Sequence, residues 1–364
     1  MDMIAKNLLV NKSYLKTMES ALRLLIVDDS KIMREALTGM FADDENVMME
    51  TASNGLEALA LLSQFKPDVI TLDINMPDLD GISTLKRIMI EQPVPTVMLS
   101  SLTQEGAKIT FDALRYGAVD FIAKPTVESE FSRLQQAETI ISHVKNAAEV
   151  ELSAIKYIRH DVQKKTALDF GDEPCKHLVT IGAAEGGYGS LLKIIPELQA
   201  DSNKSYLVSL HVPAEHVDAF IGYLNACSMI SVEKAENNAE IRPGCCYICS
   251  GSDYMTVFEQ GENIHLHVNP APFSSRRGAI DMMMFSVVEL MGSDCTGVIL
   301  SGLGEDGVEG IEHIMQSEGG VIIQSPETCL YKELVQNVSD KITVDTADIV
   351  IADNLIADKI RSIS

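Results

Sequence analysis

Short apolar runs alternate with amphipathic stretches along most of the chain. Between Leu22 and about Val127 the runs LRLLIVDD, VMMETAS, DVITLDI, TVMLSS and VDFIAKP predict strands, and SKIMREALTGMFAD, GLEALALLSQF, GISTLKRIMIEQ and EGAKITFDALRYG predict helices between them. Such β–α alternation predicts a parallel sheet covered by helices on both faces. From about Glu128 to Pro174 the pattern turns polar. FSRLQQAETIISHVKNAAEVELSAIKYIRHD has helical spacing, and VQKKTALDFGDEP reads as a linker. From Lys176 the α/β alternation resumes. The expected organisation is an extension over 1–21, a domain over 22–127, a helical segment and linker over 128–174, and a second domain over 175–364. The fold class is α/β throughout, with a five-stranded flavodoxin-like unit first and a doubly wound unit second.

Composition narrows the function classes. The 364 residues carry a formal charge of −24, which argues against a basic nucleic-acid footprint and against adhesion to anionic membranes. No apolar stretch approaches the roughly 20 residues that span a bilayer. The opening MDMIAKNLLVNKSYLKTMES lacks the core of a signal peptide and reads as a loosely helical extension, so a cytoplasmic location is expected. Seven cysteines, an odd number, suit reduced thiols. The dense cluster CCYIC, Cys245, Cys246 and Cys249, reads as small apolar residues of a strand.

Candidate chemistry sits at strand ends. Asp28 and Asp29 close LLIVDD, Asp73 closes VITLD, Ser100 closes TVMLS and Lys124 follows DFIA. Carboxyl ends of parallel strands converge at one edge. Three clustered carboxylates repel one another unless a cation sits among them, and a hard, oxygen-seeking Mg2+ is the natural occupant. Asp73 is then a nucleophile towards phosphorus, with Ser100 and Lys124 on the phosphoryl oxygens. The motifs VDDS, LDINMPDLDG, MLSSLT and AKP together resemble the receiver domain of two-component response regulators. The resemblance implies Asp73 as phosphoacceptor, and Asp28, Asp29, Asp73 and the Asn75 carbonyl as the Mg2+ site, with Asp28 acting through water. It implies Ser100 and Phe121 as the switch pair, Lys124 beside them, and a histidine kinase as partner.

Downstream, VTIGAAEGGYGSLLKIIPEL, YLVSLHVPAEHVDAF and GVILSGLGEDGVEGIEHI each place a polar or glycine-rich turn after an apolar strand. That arrangement brings Ala184, His211 and Asp306 to one sheet edge. A His and an Asp there form a dyad that lacks a hydroxyl, and backbone N–H groups at Glu185 and in SGLGEDG are candidate oxyanion donors. Taken singly, His211 reads as a buried, satisfied histidine, and Asp306 as a cap for the helix that follows it. Together with IRPGCCYICSGSDYM and RRGAIDMMMFS, these stretches resemble the catalytic domain of chemotaxis protein-glutamate methylesterases over about 175–350. The resemblance implies His211 as general base, Asp306 as its orienting acid, Leu303 and Glu185 as oxyanion positions, and chemoreceptors as substrates. Ala184 stands where that family carries its nucleophilic serine.

Loss of a triad nucleophile leaves roughly 10³–10⁴ of rate over water. Ser190 lies more than a helical turn away, and Tyr188 lacks a dedicated base. Glu185, Val217, Tyr223 and YKELV (331–335) also depart from the family, which a single engineered Ser→Ala does not explain. Glu185 is expected to bring a carboxylate close to His211. The resulting expectation is a response regulator, phosphorylated on Asp73, that controls a non-catalytic methylesterase-like domain acting by protein binding. The alternatives are an active methylesterase and glutamine deamidase, with Ala184 engineered or activity otherwise retained, and a receiver that only drains phosphoryl groups.

Overall fold

The computed structural model describes residues 21–100, 104–125, 130–152, 175–201, 203–211, 214–250, 253–270, 278–342 and 349–363. Most of the N-terminal extension, the end of the helical stretch and the linker (153–174 together), and parts of MLSSLT, SGSDYM and RRG lie outside these residues. The chain divides into two compact units, 1–157 and 158–364.

The first unit is a parallel sheet in the order β2-β1-β3-β4-β5. Its strands are β1 (Leu22–Val27), β2 (Val47–Ala52), β3 (Val69–Asp73), β4 (Thr96–Ser100) and β5 (Asp120–Ala123). Strands β3 and β4 are buried along their whole length, as apolar runs between two helix layers must be. Helices α1 (Lys31–Met40), α2 (Gly55–Phe65) and α3 (Gly81–Glu91) start from side-chain caps Ser30, Asn54 and Asp80, each accepting a backbone N–H of the first turn. At α2 Glu57, whose N–H Asn54 accepts, reaches back to accept the N–H of Ser53, just before the cap, at 2.6 Å. Helices α4 (Gln104–Arg115) and α5 (Glu130–Ala148) complete the unit. Helix α5 ends at Ala148, and residues 153–161 of the stretch with helical spacing lie outside the described residues. Helix α5 packs on β3, β4 and β5 and is tied down by His143–Asp120 and by Lys145 Nζ–Asp44 Oδ2 at 2.6 Å.

The second unit holds a seven-stranded sheet in the order β14-β13-β12-β6-β7-β9-β8, with β8 (Ser231–Lys234) at one edge, and a separate β10-β11 hairpin. All neighbouring pairs in the large sheet are parallel. The central strands are β6 (His177–Ala183), β7 (Lys204–Leu210) and β12 (Cys295–Ile299), every residue of which is buried. The chain runs from β6 to one neighbour, β7, and later returns to the other, β12. That reversal of strand order opens a crevice at the carboxyl end of β6. Helix α6 (Gly187–Ile194) follows β6 and α7 (Ala214–Cys227) follows β7. Helices α8 (Ala279–Met291) and α9 (Val308–Gln316) flank β12 in sequence, and α10 (Glu333–Lys341) and α11 (Asp353–Ser362) follow β13 (Gly320–Gln324) and β14 (Val350–Ile351).

Helix α8 approaches β6 closely enough that a Cβ on Gly182 would lie 2.5 Å from Ile280 Cγ2. CCYIC lies on β9 (Cys245–Ser250), all buried, and burial pushes the Cys249 thiol up to about 12. These are core side chains. The hairpin β10 (Asp253–Gln260) and β11 (Asn263–Pro270) buries Met255, Val257, Ile264 and Leu266 on one face.

Candidate functional site

In the first unit the three predicted carboxylates meet. Oxygens of Asp28, Asp29 and Asp73 lie within 4.8 Å of one another, with Asp28 and Asp73 buried and Asp29 exposed. Strand ends bring them there, and local bonds hold them. Asp28 Oδ1 accepts the Ser30 N–H at 2.8 Å, and Arg34 from α1 donates to the Asp28 and Asp29 carbonyls at 2.6 and 3.1 Å. Lys124 Nζ bridges Asp28 Oδ2 at 3.0 Å and Asp73 Oδ2 at 2.8 Å. Burial raises Asp73 above the ordinary carboxylate range, and the Asp28 charge adds to this, against the opposing pull of Lys124. Asn75 is exposed beside Asp73, whose Oδ1 accepts its N–H at 3.3 Å.

Ser100 ends β4, buried, with its hydroxyl 3.0 Å from that of Thr110 on α4. Phe121 on β5 meets Phe111 of α4 edge-on at 6.2 Å between centroids. Ser100 and Phe121 therefore contact the same helix. Arg34, Thr110 and Phe111 carry no motif signal, because each acts through a helix whose facing is set only by the fold.

In the second unit Ala184, His211 and Asp306 follow β6, β7 and β12, three adjacent strands. The Ala184 N–H donates to the Ser301 carbonyl and the His211 N–H to the Ala183 carbonyl, at 3.0 and 2.9 Å. His211 Nε2 lies 3.1 Å from Asp306 Oδ2, both side chains at most 10% exposed. Asp306 also accepts the N–H groups of Ile280 and Asp281. Burial would raise Asp306, but His211 and these two amides outweigh it and hold the acid below its ordinary range. The helix Asp306 caps is thus α8, not the following helix α9, whose N-cap is Gly307.

Among the described residues no ion pair joins Glu185 to His211, and the Glu185 carbonyl accepts the Ser301 hydroxyl at 3.1 Å. The backbone N–H groups of Glu185 and Leu303 have no acceptor among the described residues. Ser190 donates to Gln324 Oε1 at 2.9 Å inside the core, and Tyr188 packs edge-on against Phe220. Val217 is buried in α7, and Tyr223 lies on the same helix.

The YKELV segment seals the turns. Tyr331 accepts the Gly302 N–H, the Leu334 N–H donates to Gly302 O, and Glu333 accepts the Gly304 N–H, all at 3.0–3.1 Å. A Cβ on Gly302 would lie 2.6 Å from Ala184 Cβ, so the two turns are in contact. Gln324 was not legible as part of this site. Fully buried, it accepts the Ser301 N–H at 3.0 Å from a strand 23 residues away.

Fold and site define a response-regulator receiver joined to a methylesterase-type α/β domain, the architecture expected from the sequence. The response regulator receiver domain family matches residues 24–136 and the CheB methylesterase family residues 179–360. The chain belongs to the protein-glutamate methylesterase/protein-glutamine glutaminase family. A member from Archaeoglobus fulgidus is 37% identical over 316 residues, covering 85% of this chain and 89% of that protein. One from Lawsonia intracellularis is 35% identical over 355 residues, covering 93% and 98%. The crystal structure of the Thermotoga maritima CheB methylesterase catalytic domain is 27% identical, with a TM-score of 0.48, and covers 52% of this chain and 98% of its own. Among the described residues no helix is long and apolar enough to cross a membrane.

Proposed function

We propose that this chain is a phosphorylation-controlled chemotaxis protein whose C-terminal domain binds a protein partner of the chemoreceptor class without hydrolysing it. In the receiver, an Asp73 oxygen attacks the phosphorus of a kinase phosphohistidine, and the imidazole nitrogen leaves with the bonding pair. The carboxylate cluster is a hard, all-oxygen donor set that fits Mg2+, with Asp28, Asp29, Asp73 and the Asn75 carbonyl as its holders. When bound, the ion neutralises charge on the phosphoryl oxygens. Lys124 neutralises the same oxygens, and Ser100 exchanges its Thr110 partner for one of them. Phe121 then turns against α4.

The observation that carries the non-catalytic reading is Ala184 itself, buried at the apex of the turn where the family's serine stands. Among the described residues no hydroxyl hydrogen-bonds the His211 ring. A second reading, an active esterase and amidase, draws on the retained His211–Asp306 pair and the two unused amides of Glu185 and Leu303. Methanol release from methylated receptor by the phosphorylated chain separates the two. The expected result is release at background for the native chain, with a gain of at least tenfold for Ala184→Ser. Turnover by the native chain well above background overturns the proposal.

A further inference from the structure

Two helix N-termini meet beside His211, and each is capped by an aspartate belonging to the other. Asp306, in the turn before α9, accepts the N–H groups of Ile280 and Asp281 at the start of α8, at 3.1 and 3.0 Å. Asp281, in the first turn of α8, accepts the Gly310 N–H in the first turn of α9 at 2.7 Å. The residues at the formal cap positions, Gly278 and Gly307, have left-handed backbones (φ 90° and 109°) and no side chain to offer.

The exchange places two carboxylates in one buried site, where both cannot stay charged cheaply. The groups facing the pair are the His211 imidazole at the end of β7, the two α8 amides, and the Gly310 and Gly307 amides of α9. Most of them serve Asp306, which is held below its ordinary range. Burial pushes Asp281 up to about 6; the Gly310 amide opposes this, and the Asp306 charge and a hydrogen bond shared with Asp306 add to it.

We propose that Asp281 is a positioning residue: its N–H holds Asp306 while its carboxylate caps α9 at Gly310, and the two bonds together fix the carboxylate that faces His211. The placement of the acid beside His211 is therefore set from the far side of Asp306, by a residue that does not touch the ring. The role is independent of turnover, because its readout is the environment of the His211 ring.

The test is NMR on the full chain, comparing the His211 ring nitrogens in the native chain and two variants. Asp281→Asn keeps an acceptor for Gly310 and the backbone N–H that holds Asp306, whereas Asp281→Ala removes the acceptor. Asp281→Asn is expected to leave the His211 resonances close to native, and Asp281→Ala to displace them. His211 resonances displaced by Asp281→Asn, or superimposable in the native chain and Asp281→Ala, overturn the proposal.

Discussion

Gly81 opens α3 with its backbone against the end of β3, the strand that carries Asp73. A Cβ there would lie 2.0 Å from the Asp73 carbonyl oxygen and 2.8 Å from Ile74 Cα. Both are backbone atoms, so relief requires moving Asp73 or its neighbour Ile74. Gly39 in α1 has nothing within 4 Å of its would-be Cβ. Gly81→Ala should therefore cost about 1–3 kcal/mol and slow phosphorylation of Asp73. Gly39→Ala should gain roughly 0.5–1 kcal/mol. Thermal unfolding and phosphorylation by acetyl phosphate check both, and a Gly81→Ala chain as stable and as reactive as the native one refutes the account. The glycine of PDLDG was legible as part of a motif, but its reason was not, because the close approach exists only once α3 is docked. Ala184 was legible for the opposite reason. Its turn is local, running from β6 into α6 within a few residues, so the missing hydroxyl shows in the string itself.

At the scale of elements, the strands with continuous apolar runs and the helices opened by Ser30, Asn54 and Asp80 were legible because their signals are local. The β10-β11 hairpin was not, since its alternating pattern mixes polar residues into both strands and its partner for packing, α8, lies beyond it in sequence. The exchange of caps between α8 and α9 was hidden for a similar reason, its bonds joining residues 25 to 29 apart. It carries a pH dependence whose sign follows from linkage. Asp281 is raised in the folded chain, so its contribution to stability is fully present below about 4 and is lost as pH rises through about 6. At pH 7.5 the native chain bears the cost of two buried charges, and Asp281→Asn does not. The variant should be the more stable by about 1–3 kcal/mol at pH 7.5, with the gap closing towards pH 4.5. Denaturant midpoints at the two pH values measure it; a variant less stable at pH 7.5, or a gap independent of pH, contradicts the assignment.

At the scale of the molecule, Asp73, the proposed phosphoacceptor, and the Ala184–His211–Asp306 site belong to different compact units. Control of one by the other then needs an element with two arrangements that phosphorylation biases. Helix α4 is the candidate, since Thr110 holds the Ser100 hydroxyl and Phe111 contacts Phe121, both on one turn of that helix. Drawing Ser100 towards phosphoryl oxygens breaks its bond to Thr110, so the helix loses an anchor as the phosphoryl group gains one. If the second unit acts by binding, phosphorylation should change its affinity for a receptor fragment by about 5–150-fold, the span of ordinary coupling energies. Asp73→Asn should abolish that change while leaving the unphosphorylated affinity intact. Thr110→Val removes the anchor without touching the phosphoacceptor, so it should shift the unphosphorylated affinity part of the way towards the phosphorylated value. Calorimetric titration of the full chain with and without acetyl phosphate and Mg2+ reads all three. Should the native chain become phosphorylated with no change in affinity, the receiver serves only to drain phosphoryl groups, and the coupling through α4 is excluded.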